Sequence, residues 1–164
     1  MMRKRSLSII AAFLFAAVAE AGVEVRSFTV TALPDGTYHY GYRLRLVSGS
    51  LAPGSTVQQH VTLYDIPGLL PGTVYASAPW SVVVQYTGTD ALDIPRASLD
   101  NPARMNIVLK YVGTTLLTAP AEVGSFSFSV PAGPSGPLVW VGQSRSPYTG
   151  AVGLIGRVSG PAGK

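Results

Sequence analysis

The stretch from Thr37 to Val47 alternates its side chains with a period of two. One side of such a segment carries Tyr38, Tyr40, Tyr42, Leu44 and Leu46, and the other carries His39, Gly41, Arg43 and Arg45. A β-strand is the regular structure whose successive side chains point to opposite sides, so we expect a half-buried antiparallel strand here. The Asp35-Gly36 pair before it predicts a hairpin with a primed turn, because both residue types tolerate positive φ. The pairing partner would be Val25 to Ala32.

Short segments with the same alternation follow, separated by turn residues. We expect strands over residues 56–64, 74–76, 80–87, 105–112, 124–130, 138–143 and 151–158. No stretch after the N-terminal apolar run keeps the spacing of a capped helix. Eight or nine short strands predict an all-β fold, a single antiparallel β-sandwich of jelly-roll or immunoglobulin-like order. Within this set, the run Val82-Val83-Val84 is apolar on both faces and predicts a central strand.

The first 21 residues have the pattern of a secretory signal peptide. A basic cluster at positions 3–5 precedes an apolar run from Leu7 to Val18, and Ala19-Glu20-Ala21 is a small-x-small cleavage pattern. A membrane anchor is the alternative, but it needs about 20 apolar residues, and this run is shorter. We therefore expect cleavage after Ala21.

The expected mature chain begins at Gly22 and holds about 140 residues, which suits one domain. We expect the β-sandwich domain over residues 22–158, a flexible small-residue tail over residues 159–164, and no membrane span. The protein is expected to be secreted or extracellular, with the periplasm as the alternative compartment.

Charge and cysteine content exclude several function classes. The net charge of +4 falls to about +2 without the signal peptide, and the remaining basic residues are scattered from Arg26 to Lys164. A nucleic-acid binder would be expected to cluster them on one face, so we expect no nucleic-acid partner. The chain has no cysteine, which excludes thiol nucleophiles and cysteine-ligated metal sites and favours a bacterial exported protein.

The sequence contains no catalytic motif. His39 and His60 are the only histidines, and both lie on the polar side of a predicted strand, where solvent exposure is the favoured interpretation and a base or metal ligand the alternative. No Gly-x-Ser-x-Gly elbow occurs. Carboxylates are sparse, whereas a glycosidase needs a converging pair. We therefore expect no enzyme activity and no cofactor.

The longest irregular stretch, Gly88 to Arg104, contains the candidate metal ligands. These candidates for calcium are Asp90, Asp93, Asp100 and Asn101. Calcium collects several oxygen ligands from flexible acidic loops, but the spacing here matches no EF-hand. Asp and Asn are also ordinary turn formers, so we favour a plain loop over a calcium site.

Aromatic side chains are the candidates for ligand binding. If the strand face carrying Tyr38, Tyr40 and Tyr42 is exposed, its rings could form a stacking platform for carbohydrate. Their continuity with leucines favours burial in the core instead. Trp80 and Trp140 are weaker candidates, for the same reason.

Several short motifs resemble those of one group of bacterial exported proteins. The motifs are Thr62-Leu63-Tyr64-Asp65-Ile66-Pro67-Gly68, a later Trp80, Leu109-Lys110-Tyr111-Val112-Gly113 and Gly124-Ser125-Phe126. They are similar to motifs of secreted β-sandwich proteins of the PEP-CTERM type, over roughly residues 23–158. The resemblance implies an extracellular or cell-surface protein and no catalytic residue. The closing residues Gly160 to Lys164 do not match that group's C-terminal Pro-Glu-Pro sorting signal.

These observations lead to two expected functions. The favoured one is an exported structural, matrix or adhesive β-sandwich protein without catalytic activity. The alternative is an extracellular carbohydrate-binding module, with or without calcium. The expected partners are extracellular polysaccharide or a matrix protein.

Overall fold

The computed structural model describes residues 22–88, 100–131, 134–146 and 150–161. Within these ranges the strands are β1 (Gly22–Ala32), β2 (Tyr38–Ser48), β3 (Ser50–Leu51), β4 (His60–Ile66), β5 (Tyr75–Ala76), β6 (Trp80–Gln85), β7 (Met105–Tyr111), β8 (Leu117–Thr118), β9 (Ala121–Val130), β10 (Pro134–Ser144) and β11 (Val152–Pro161). A 3₁₀ helix covers Pro71–Thr73. No helix in these ranges is long and apolar enough to cross a membrane.

The strands form an antiparallel sandwich, which confirms the expected all-β fold. One sheet has the order β1-β2-β9-β5 and the other has the order β11-β10-β4-β7-β6. The described residues contain more strands than the expected eight or nine. The additional ones are β3 and β8, which are each two residues long and pair with each other. Strands of two residues are too short to show a recognisable alternation.

The first hairpin forms as expected, but its turn differs. β1 pairs with β2 in register from Ala32 opposite Tyr38 back to Gly22 opposite Ser48. Gly36 has φ of +82° and donates its N–H to Leu33 O at 3.1 Å. Pro34 stands at the second position of that turn, where its ring fixes φ near −65° and excludes a primed turn.

The core lies between the facing sides of the two sheets. From the four-stranded sheet it receives Tyr40, Tyr42, Leu44, Leu46, Phe126, Phe128 and Val130, and from the five-stranded sheet Val61, Leu63, Trp80, Ile107, Leu109, Leu138, Trp140 and Val158. Tyr42 stacks on Phe126 and Phe128 at centroid distances of 5.0 and 5.6 Å. Aromatic pairs at such distances contribute about 0.5–1.5 kcal/mol beyond the area that they bury. The interpretation of the tyrosine face as core is confirmed.

Strand β6 lies at an edge of its sheet, so the central position expected for it is wrong. Val82 and Val84 pack against the core, while Val83 is 40% exposed on the other side. Three consecutive valines suit an edge strand equally well when one face is buried and only one valine points outward.

Strand β11 continues beyond its expected end at Val158. Ser159, Gly160 and Pro161 pair with Pro137, Gly136 and Pro134, although we expected them in a flexible tail. The Tyr42 hydroxyl donates a hydrogen bond to Ser159 O at 3.0 Å. This bond fixes the strand end to the aromatic cluster of the other sheet, which a composition of small residues does not predict.

Candidate binding groove

The outer face of the four-stranded sheet carries a row of residues that crosses all four strands. Because β2 turns Tyr40 and Tyr42 inward, its alternate residues point outward. Gly41 pairs with Thr29 of β1 on one side and with Ser127 of β9 on the other. Ser127 in turn pairs with Tyr75 of β5. Thr29, Gly41, Ser127 and Tyr75 therefore lie side by side on one surface.

Gly41 makes this row a depression. It has no side chain, and the outward residues before and after it on β2 are His39 and Arg43. The described residues around it enclose about 350 Å³, which we call the sheet groove; they are Thr29, His39, Gly41, Tyr42, Arg43, Tyr75, Ser125, Phe126 and Ser127. Since the rings of Tyr42 and Phe126 are buried on the core side, the groove surface at those two positions is main chain.

Tyr75 has an exposed ring, and the backbone on both sides of it is hydrogen-bonded to β9. Its side chain is 66% exposed. The next residues are fastened to β9, because Ser77 N donates to Ser125 O and Ser125 N donates to Ser77 Oγ, each at 2.9 Å. On the other side, Ser129 N donates to Thr73 Oγ1 at 2.8 Å. The ring is therefore exposed, and the main chain from which it projects is held against β9.

The polar groups of the groove are hydroxyls, one imidazole and one guanidinium. His39 is half-buried, and its Nδ1 lies 3.2 Å from Ser129 Oγ. Arg43 is exposed and pairs in register with Ser125 and Arg26. None of the described residues that line the groove is a carboxylate.

A second cavity, of about 670 Å³, lies near Trp80, Tyr111, Leu117 and Glu122. The Trp80 indole N–H donates to Val123 O at 2.6 Å, and the Tyr111 hydroxyl donates to Thr115 O. The two rings contact each other edge-on at 5.7 Å. Their donors already bind main-chain carbonyls, so these rings serve packing of the loops, and the sheet groove offers the stronger candidate site.

The aromatic residues singled out from the sequence lie mostly in the core. Tyr40 and Tyr42 are 0% and 1% exposed, and Tyr38 packs against the core at the end of the same face. Trp80 and Trp140 are each 5% exposed. Their rings do not form an exposed stacking platform.

Of the calcium candidates, Asp90 and Asp93 lie outside the described residues. Asp100 accepts hydrogen bonds from Gly88 N at 2.8 Å and from Asn106 Nδ2 at 2.7 Å. Asn101 Oδ1 accepts from Ala103 N at 3.0 Å. Asp100 and Asn101 thus hold main chain at the loop ends. Across residues 22–88, 100–131, 134–146 and 150–161, no three His, Asp or Glu side chains are grouped as a metal site would require.

The two histidines lie in different sheets. His39 is on the outer face of β2, whereas His60 is on β4 and fully buried. The expected solvent exposure of His60 is therefore wrong. Its neighbours on the same face, Thr62 and Tyr64, are buried as well, so this side of β4 is covered.

Sequence reasoning missed Tyr75 as a site residue. It lies on a two-residue strand, where no alternation can reveal which way a side chain points. The alternation of β2 already showed that His39, Gly41 and Arg43 share one side of the strand. A glycine within a strand is a known sign of close approach by a ligand or backbone. That signal at Gly41 could have located the groove.

Comparisons with known proteins found no protein-family model that matches the chain and no curated protein with significant similarity to it. The resemblance to PEP-CTERM-type proteins stays a prediction.

Proposed function

We propose that this protein is a non-catalytic carbohydrate-binding module that works outside the cell, with a polysaccharide chain lying in the sheet groove. The observation that carries the proposal is the exposed Tyr75 ring in one row with Ser127, Gly41 and Thr29. A sugar ring has an apolar face that packs on an aromatic ring and hydroxyls that bind polar side chains. The groove supplies both kinds of contact on one surface.

The fixed backbone around Tyr75 supports this proposal energetically. Binding costs less when the backbone segment that carries a contacting side chain is already ordered. A tyrosine also loses little rotamer entropy, because it has only two side-chain torsions. The hydrogen bonds from Ser77 N to Ser125 O and from Ser129 N to Thr73 Oγ1 hold the chain on both sides of Tyr75 against β9 before a ligand arrives.

The groove has features of binding rather than hydrolysis. A glycosidase of the usual kind places two carboxylates on either side of the scissile bond. The described lining residues of the groove include serine, threonine, histidine and arginine but no carboxylate. His60 is in the other sheet, so it does not join His39 in a shared site.

The test is binding of the secreted protein to a panel of insoluble and soluble polysaccharides. Protein recovered from the medium should have the intact mass of a chain that begins at Gly22. For a polymer that binds, Tyr75→Ala should weaken affinity about tenfold, equivalent to about 1.4 kcal/mol, whereas Tyr75→Phe should stay within about twofold.

Tyr86→Ala provides the matched control. Tyr86 is also strongly exposed, at 55%, but follows β6 of the other sheet. It should leave affinity unchanged. Binding that is insensitive to Tyr75→Ala, or a panel without any binding, would reject the proposed function.

A structural or adhesive role without a saccharide ligand is the second candidate. Both edges of the five-stranded sheet carry exposed apolar residues, Val83 on β6 and Ile155 on β11. An edge strand presents main-chain groups that a strand of another molecule can pair with. This candidate predicts concentration-dependent assembly in analytical ultracentrifugation, abolished by Val83→Lys or Ile155→Lys. A monomer at all concentrations would reject it.

A further inference from the structure

A bulge in β9 turns the side chain of Glu122 away from the core. Leu44 pairs with Gly124, whereas the next residue, Arg45, pairs with Glu122, so Val123 is an extra residue in the ladder. In an unbroken strand, Glu122 would lie on the same inward side as Gly124, two residues later. A bulge re-aims the side chains beyond it. Glu122 is therefore exposed, while Val123 is buried.

The buried Trp80 side chain packs directly on this bulge. Its indole N–H donates to Val123 O at 2.6 Å, where the bulge interrupts the ladder. Gly124 has φ of +136°, and a Cβ added to it would lie 2.9 Å from Trp80 Cδ1. Glycine suits both this backbone conformation and the close approach of the indole. The direction of Glu122 is thus set by a contact between the two sheets.

The bulge brings Glu122 to the cavity of about 670 Å³ beside Trp80, which we call the Trp80 cavity. No other described lining residue is charged, and the lining includes the apolar residues Pro79, Val112 and Leu117. Val112 is 61% exposed, so a large apolar side chain contacts water here. Sites for small ligands are mostly apolar cavities of about 300–1,000 Å³ with a few polar groups. The Trp80 cavity matches this description.

The carboxylate of Glu122 differs from that of Glu24, although both residues are register partners of Arg45. Glu24 Oε2 accepts a hydrogen bond from Arg26 Nε at 2.9 Å. Among the residues that the structure describes, the Glu122 side chain makes no hydrogen bond or ion pair. The ring donors of the cavity already bind main-chain carbonyls. The Glu122 carboxylate is therefore the charged group that a ligand meets in the cavity.

We propose that the Trp80 cavity binds a small organic cation, an ammonium group on an apolar carbon skeleton. The ammonium donates hydrogen bonds to the Glu122 carboxylate, and the carbon skeleton packs against Pro79, Val112 and Leu117. An ammonium group has three donors and no acceptor, and its hydrogen bonds to a carboxylate are charge-assisted. The cavity shares no described lining residue with the sheet groove, so this inference does not depend on the saccharide.

The test compares hexylammonium, hexanol and hexanoate, which share an apolar chain and differ in charge. Binding to isotopically labelled protein is followed by the NMR signal of the Trp80 indole N–H. The other tryptophan, Trp140, lies in the core and does not line the cavity, so its signal is the internal reference.

At low salt, hexylammonium should bind about fivefold more tightly than hexanol, which is the gain from one solvent-accessible ion pair. Hexanoate should leave the Trp80 signal unchanged, because the Glu122 carboxylate repels it. The preference for hexylammonium should disappear near 1 M NaCl, where screening reduces the Debye length to about 3 Å.

Variants separate the charge from the apolar contact. Glu122→Gln should lower the affinity for hexylammonium about fivefold and leave that for hexanol unchanged. Val112→Ser should weaken both ligands by the same factor, about twofold. Glu24→Gln is the matched control, because it removes the other carboxylate beside Arg45 without touching the cavity.

Equal binding of hexylammonium and hexanol to the wild-type protein overturns the cationic ligand, and so does a preference that survives Glu122→Gln. An equal loss of preference in Glu24→Gln would assign it to the general field of the sheet and also overturn the site. If no ligand shifts the Trp80 signal, or if the Trp140 signal moves equally, the cavity is not a binding site. None of these results bears on the saccharide proposal, which is tested through Tyr75.

Discussion

The outer faces of the two sheets follow the same alternation of side chains, but they differ in solvent exposure. On the four-stranded sheet, Arg43, Ser125 and Tyr75 are exposed around the groove. On the five-stranded sheet, most outward residues of the inner strands are buried, although Lys110 near the end of β7 is exposed. The buried ones are His60, Thr62, Tyr64, Asn106, Val108, Val141 and Gln143. The difference lies in what covers each face, because the strands themselves are built alike.

Chain segments that flank β6 and β7 cover part of the five-stranded sheet. A Cβ added to Gly88 would lie 2.3 Å from Tyr64 Cε1, so main chain rests directly on that ring. Asn106 connects three parts of this cover, since it accepts from Asp65 N at 2.7 Å and donates to Tyr86 O and Asp100 Oδ1. One face is thus a second, partly polar packing layer, and the other is exposed to solvent around the groove.

The largest expected effect of this difference is the loss of Asn106. In Asn106→Ala, three hydrogen bonds disappear at a fully buried position, and an unpartnered buried polar group costs about 1–3 kcal/mol. We expect the free energy of unfolding to fall by about 3 kcal/mol in urea titration. Ser127→Ala, on the groove face, should change it by less than about 0.5 kcal/mol. Equal effects would show that the two faces do not differ in their contribution to stability.

A smaller effect is expected from an apolar pair on the covered face. Val108 and Val83 are cross-strand partners on the same side of the sheet, but Val108 is 0% exposed and Val83 is 40% exposed. Val108→Ala removes two buried carbon atoms and leaves a cavity, so it should cost about 2 kcal/mol. Val83→Ala should cost less than about 1 kcal/mol, measured by thermal unfolding. A larger cost at Val83 would place the covered region at the sheet edge.

The smallest expected effect is the pH dependence of stability that Asp65 causes, with Asp35 as its control. Burial raises the pKa of Asp65 above its ordinary value of 3.8, and the Asp100 carboxylate adds to the rise, while the Asn101 N–H and Arg104 oppose it. The folded state then binds more protons than the unfolded state, so Asp65 lowers stability as the pH rises from about 4 through the raised pKa. Asp65→Asn should therefore stabilise the protein at pH 7 by less than about 1 kcal/mol.

Asn suits this position, because Asp65 has φ of +56° and its Oδ1 accepts from Asn101 N. The gain should vanish near pH 3, where the wild-type carboxyl is protonated, and melting temperatures at the two pH values check this. Asp35 provides a control of opposite sign. Hydrogen bonds from the Thr37 hydroxyl and N–H lower the pKa of Asp35. The Asp35 carboxylate therefore stabilises the folded state at neutral pH, and this stabilisation is lost as the pH falls through the lowered pKa. A gain in Asp65→Asn that is the same at both pH values would exclude the charge as its cause.

The sequence predicted the elements whose evidence is local. The alternation of Tyr40, Tyr42, Leu44 and Leu46 placed β2 with the correct side inward, and the hairpin before it followed from Asp35 and Gly36. Burial of the other side could not be predicted in this way. Ser129 alternates with the buried Phe128 and Val130 and lies on the outward side of β9 with Ser125 and Ser127, but it is only 4% exposed. Leu70 N donates to Ser129 O, and Ser129 N donates to Thr73 Oγ1. The turn that contains Leu70 and Thr73, more than 50 positions away in the chain, therefore packs against Ser129.

The candidate site was predictable only in part. His39, Gly41 and Arg43 were recognised as an outward set, whereas their neighbours across the sheet depend on strand order, which alternation does not encode. Asp100 and Asn101 show the same limit. Asp and Asn side chains can bind calcium or accept hydrogen bonds that order a loop. Only the positions of Gly88 and Asn106, which donate to Asp100, distinguish these two roles.

The hydrogen bond from Tyr42 to Ser159 joins residues 117 positions apart in the chain. Proteins dominated by such distant pairings fold on a timescale of milliseconds to seconds, because a long loop must close before its contacts form. The first hairpin therefore completes its packing only when β11 has been synthesised. A nascent chain that ends before β11 leaves the Tyr42 hydroxyl without this acceptor and β10 without one of its pairing partners, so we expect its packing to stay incomplete until β11 is added.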